Sequence, residues 1–145
     1  MKKKEIPIIV DFKDFGQQKA LKFNVNSIIA KEFCMMFFLL KENLVKKIEL
    51  KLKNYIFFVE TEQDIDIKES FCVIDQNEKV FKGTLSANSL DFVIHFLLKY
   101  FRDEIGEAEH IDVDFKNQNG GEVTLTIKCD IYREFSSAEI IDLLG

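Results

Sequence analysis

The sequence predicts an α+β domain: a mainly antiparallel sheet with two longer helices packed on one face and a short C-terminal helix. Three observations carry this prediction. Short segments alternate apolar and polar residues with a period of two. Two longer segments instead place apolar residues at helical spacing. Turn-forming residues separate neighbouring alternating segments, so hairpins dominate and the sheet is antiparallel.

In chain order, Ile8, Val10 and Phe12 alternate with Ile9 and Asp11, and Leu21, Phe23 and Val25 alternate with Lys22 and Asn24. A loop with Gly16 joins them as a hairpin. Asn26 and Ser27 are good caps for a helix running to about Asn43, with Ala30, Phe33, Phe37 and Leu40 on one face. The continuous apolar run over residues 33–40 keeps a buried strand open as an alternative. Ile48, Leu50 and Leu52 then alternate with Lys47, Glu49, Lys51 and Lys53. Residues 55–59 form the next strand, and 71–74 and 79–85 flank a turn at Asp75, Gln76, Asn77 and Glu78. These four segments read as an antiparallel meander.

The second helix has Asn88 as its cap, Asp91 as a capping-box partner, and Gly106 as its stop. Leu90, Val93, Ile94, Leu97 and Phe101 make its core stripe. Phe92, Phe96 and Tyr100 make a second stripe, which implies deep burial or a subunit interface. In the final hairpin the three-residue loop Asn119, Gly120, Gly121 sets the register. Phe115 then lies opposite Leu125, Val113 opposite Ile127, Asp112 opposite Lys128, Asp114 opposite Thr126, and His110 opposite Asp130. A helix from Ser136 or Ser137 to Leu144 closes the chain. No period of about 20 to 50 residues recurs.

At 145 residues with one proline and six glycines, the chain reads as one globular domain over 1–145. The eight-residue apolar run 33–40 is far short of the ~20 needed to cross a bilayer, so no membrane partner is expected. Cys34, Cys72 and Cys129 have no Cys-x-x-Cys spacing and sit among apolar residues. They read as buried thiols, which suit a cytoplasmic location.

Catalytic equipment is sparse. His95 sits mid-helix between Ile94 and Phe96 and reads as a structural histidine. His110 with Asp112 and Asp130 resembles an acid/base or metal cluster, but Lys128 beside them opposes a cation. There is no Gly-x-Ser-x-Gly elbow and no phosphate-cradling glycine loop. The reading is therefore non-enzymatic, with no catalytic residue, no metal and no cofactor.

Charge is the more informative signal. Residues 1–54 carry a net +6, residues 55–99 a net −4, and residues 100–145 a net −7. An overall charge of −5 and only two arginines weigh against nucleic acid as a partner, despite the N-terminal lysines. Asp103, Glu104, Glu107, Glu109, Asp112, Asp114, Glu122 and Asp130 fall close together and are the candidate partner-binding residues. Such a surface steers and binds a basic protein.

In size, acidity and lack of catalytic motifs the chain resembles the small acidic immunity proteins of bacterial toxin–immunity pairs, including those of contact-dependent growth inhibition. That resemblance implies a cytosolic inhibitor that covers the active site of a cognate basic toxin, often a nuclease. The chain also resembles small acidic chaperones of type III secretion. They act as dimers, and here the Phe92, Phe96, Tyr100 stripe would form the interface. An enzyme with His95 or His110 as proton carrier is the third reading.

Overall fold

A computed structural model describes residues 5–102 and 109–129. Eight strands and two helices appear in the order β1 (Asp11–Phe15), β2 (Gln18–Val25), α1 (Ser27–Lys41), β3 (Ile48–Lys51), β4 (Ile56–Thr61), β5 (Ser70–Asp75), β6 (Val80–Leu85), α2 (Ala87–Phe101), β7 (His110–Asn117) and β8 (Glu122–Cys129). All strands join one sheet in the order β1-β2-β8-β7-β5-β6-β4-β3.

The expected mainly antiparallel sheet is corrected by this order. The sheet is mixed: the hairpin pairs are antiparallel, but β2–β8, β5–β7 and β4–β6 are parallel joints. The expected meander fails at β4, which pairs with β6 rather than β5. Local alternation reports which face a side chain takes, but it carries no information about pairing between distant strands. The C-terminal helix expected from Ser136 or Ser137 to Leu144 lies outside the described residues, which hold two helices.

The sheet is strongly curled. Phe23 on β2 and Phe57 on β4 have ring centroids 5.8 Å apart, although four strands lie between them in the sheet order. The inner face is apolar and the helices close it, Phe33 of α1 meeting Phe23 edge-on at 6.1 Å. Phe57, Phe81 and Phe115 continue the core as a row with centroids 5.1 Å apart at each step. The edges of the sheet also meet. Ile6 forms a parallel bridge to Leu52, and Lys53 N–H donates to the Ile8 carbonyl at 2.9 Å. The Asn54 side-chain amide both accepts from Val10 N–H and donates to its carbonyl, each at 2.8 Å. This seam covers edge groups that would otherwise be open to pairing.

The chain is a structural duplication. Each half runs β-β-α-β-β, and both helices are 15 residues long and start 60 positions apart. Exchanging the halves maps the sheet order onto itself once the seam between β3 and the segment before β1 is counted as the counterpart of the β5–β7 joint. Helix burial follows the same shift: Ala30, Phe33, Phe37 and Leu40 in α1 correspond to Leu90, Val93, Leu97 and Tyr100 in α2. The helices pack antiparallel about the pseudo-twofold axis. Lys41 pairs with Asp91 at 2.7 Å, and Lys31 stacks over the Phe101 ring at 5.5 Å, contacts that the 60-residue shift interchanges. The Cys34 thiol faces the Ile94 carbonyl, its own equivalent position, at 3.8 Å.

Local signals explain both helix starts. The Asn26 side chain caps α1 by accepting Ile29 N–H at 2.8 Å. For α2 the cap is Ser86 rather than Asn88, accepting Ser89 N–H at 3.3 Å. The Ser86 N–H itself donates to the Ser70 hydroxyl at 2.9 Å, which fixes the extended backbone a cap requires. Gly106 lies outside the described residues.

Candidate functional surfaces

The sequence-predicted acidic residues separate into two groups. Asp103, Glu104, Glu107 and Asp130 lie outside the described residues. Glu109, Asp112, Asp114 and Glu122 are exposed. Asp112 and Asp114 project from the outer face of β7, and Glu122 from neighbouring β8, where it faces Lys116. The hairpin register differs from the expected one by two residues, because the turn closes about Asn119. Asn117 N–H donates to the Gly121 carbonyl at 2.7 Å, and Gly120 takes φ +92. Asp112 therefore faces Thr126 and Asp114 faces Thr124, and those hydroxyls donate to the carboxylates at 2.6 and 2.7 Å. The two carboxylates are held as an oriented pair. Lys128, expected opposite Asp112, instead faces His110.

The histidines are on the surface. His95 Nδ1 lies 2.8 Å from the Asp91 carbonyl, which can only accept, so this nitrogen carries the proton. His110 Nε2 lies 3.6 Å from Asp112. Among the described residues no group of three or more His, Cys, Asp or Glu side chains is placed to hold a metal. Burial pushes the Cys72 thiol up to about 12 and raises Cys34 as well, so neither is an activated nucleophile.

The helix layer holds a feature that motif reading missed. Ile28, Met35 and Leu39 lie on one outward stripe of α1 with Phe38 beside them, and all four are between 39 % and 68 % exposed. The equivalent α2 positions are Asn88, His95 and Lys99. A solvent-facing helix side is normally polar; in α2 this stripe is polar except at Phe92, whose α1 counterpart is the exposed Glu32. The halves thus share an element order and helix burial but differ on this face. The second stripe expected on α2 breaks up: Phe92 is 63 % exposed whereas Tyr100 is 3 % exposed and belongs to the core. Phe101, expected in the core stripe, is exposed instead. Tyr100 lies three residues after Leu97 and so follows the buried face, whereas Phe101 turns past it.

A third surface is a groove of about 700 Å³ on the outer sheet face over β4, β6, β5 and the end of β7. Phe58, Lys82 and Val73 lie in one cross-strand row, and Glu60, Thr84, Phe71 and Lys116 in the next. Lys47 stacks over Phe58 at 5.2 Å, and Lys116 pairs with Glu69 at 3.0 Å.

Comparison with protein-family models, with curated proteins and with solved structures finds no match. No helix among the described residues is long and apolar enough to cross a membrane.

Proposed function

We propose that this chain is a protein-binding domain that docks its partner on the outward side of α1. The observation that carries the proposal is the contrast between the two helices of one duplicated fold. Ile28, Met35 and Leu39 occupy the places that Asn88, His95 and Lys99 fill in α2. The polar set is thus compatible with this backbone, and exposed clusters of large apolar side chains mark interaction sites. The test is a triple variant, Ile28→Asn with Met35→His and Leu39→Lys, which puts the polar α2 residues at the three apolar positions of the α1 stripe and keeps Glu32. Tagged wild type and variant are used as bait in lysate of the source cells, and both are measured by light scattering. A folded variant that loses the partner or the self-association of the wild type is expected. Equal retention overturns the assignment.

An immunity-type inhibitor is the second reading, favoured by the Asp112–Asp114 pair held by Thr126 and Thr124. Preorganised carboxylates suit the lysines and arginines of a basic toxin. Reversing both to Lys slows association with such a partner and flattens its salt dependence; unchanged kinetics remove this face from the interface.

A further inference from the structure

The duplication supplies an internal comparison for the outer groove. Exchanging the halves carries Phe71, Val73, Lys82 and Thr84 onto Ile9, Asp11, Lys22 and Asn24. Those residues line a second, smaller concavity of about 470 Å³. The lysine is common to both, but its surroundings differ. Lys22 has the carboxylate-bearing Asp11 directly across the strand pair. Lys82 has Val73 on one side and Phe58 on the other, and no ion pair to any described residue. Ile9 of the smaller concavity is replaced by Phe71, a ring 43 % exposed. The smaller concavity thus sets a carboxylate directly beside its lysine, whereas the groove flanks Lys82 with Phe58 and Val73, offers the ring of Phe71, and holds its carboxylate, Glu60, one row away.

From this geometry we infer that the groove of Phe58, Phe71, Val73, Lys47, Lys82 and Lys116 binds a nucleoside phosphate. The base stacks on Phe71 and the phosphate meets Lys82, with Lys47 beside it. Stacking is tolerant of base identity, since every base has a π face. Size and charge favour a mononucleotide over a long strand. The groove volume matches small-ligand sites, which span ~300–1,000 Å³. At physiological ionic strength fields decay over ~8 Å, so a short ligand responds to the local lysines. A long polyanion would run along a domain whose net charge is −5. The inference is independent of the proposed docking on α1, which uses the helix layer rather than the outer sheet face.

The test is binding of AMP to the full chain by calorimetry, with inorganic phosphate, a poly-glutamate peptide and a twelve-nucleotide DNA strand as competitors. Saturable AMP binding is expected, weakened ~5-fold or more by Phe71→Ala, as loss of a stacking partner predicts. Val73→Asp, which gives Lys82 the neighbour that Lys22 has, weakens it comparably, while Lys22→Ala leaves it unchanged. All three positions are exposed, and circular dichroism of each variant checks its fold. Absence of AMP binding, equal affinity for phosphate alone, preference for the peptide or the longer strand, or equal loss in Lys22→Ala overturns the inference.

Discussion

Gly83 is the position where the packing argument makes its sharpest prediction. Its backbone direction points into the core, and a Cβ there would lie 2.6 Å from Phe81 Cε1 and 3.1 Å from Phe115 Cε2. Neither ring can swing aside. Phe81 is fully buried between Phe57 and Phe115, each 5.1 Å away centroid to centroid. Overpacking of this kind costs about 1–3 kcal/mol. Gly→Ala also restricts the unfolded chain, which returns roughly 0.4–1 kcal/mol. The net loss for Gly83→Ala is therefore about 1–2 kcal/mol. With a urea slope of about 1–3 kcal/mol per molar, the midpoint falls by roughly 0.3–2 M with the slope unchanged. Phe81→Leu in the same chain relieves the contact, so the double variant is more stable than the sum of the two single losses implies. A Gly83→Ala midpoint equal to or above wild type would refute the reasoning.

Further expectations concern polar groups. The Tyr55 hydroxyl is buried and has no hydrogen-bond partner among the described residues, so Tyr55→Phe is neutral or raises the thermal midpoint; a clear loss would mean the hydroxyl is satisfied. Asn54→Ala removes both amide contacts to Val10 at the sheet seam, each worth about 0.5–1.5 kcal/mol. Hydrogen exchange at Val10 then accelerates well beyond that at Leu125, and uniform acceleration would argue against a local seam. Burial raises the Cys72 thiol from the ordinary 9.0 to about 12. The folded state favours the neutral thiol, so its contribution is complete below pH 9.0 and falls as pH rises toward about 12. Urea midpoints should decline over that range in wild type and less steeply in Cys72→Ala.

Much of the local architecture was legible. The core face of α1 follows from the spacing of Ala30, Phe33, Phe37 and Leu40, and these four are its buried residues. Ile111, Val113 and Phe115 share the inward face with Val123, Leu125 and Ile127 as alternation requires. Register was not legible, because the loop residues permit two closures that preserve the same faces. The parallel joints were hidden because they unite segments far apart in sequence. The duplication was hidden for a different reason. Its 60-residue shift conserves burial, not side-chain identity: Phe33 corresponds to Val93 and Leu40 to Tyr100. The groove draws on four strands, so no linear motif announces it. The α1 stripe was visible in principle. Met35, Phe38 and Leu39 sit in the apolar run 33–40, and a helix cannot bury so continuous a run on one side.

The measurement that bears most directly on the account is the capture experiment with the three apolar α1 stripe residues replaced by their polar α2 counterparts. Ile28→Asn, Met35→His and Leu39→Lys together are predicted to leave the urea midpoint close to wild type while abolishing partner capture or self-association. A variant that unfolds no more readily and still holds the same partner, or the same oligomeric state, would contradict the claim that the two halves diverged to make α1 a docking face.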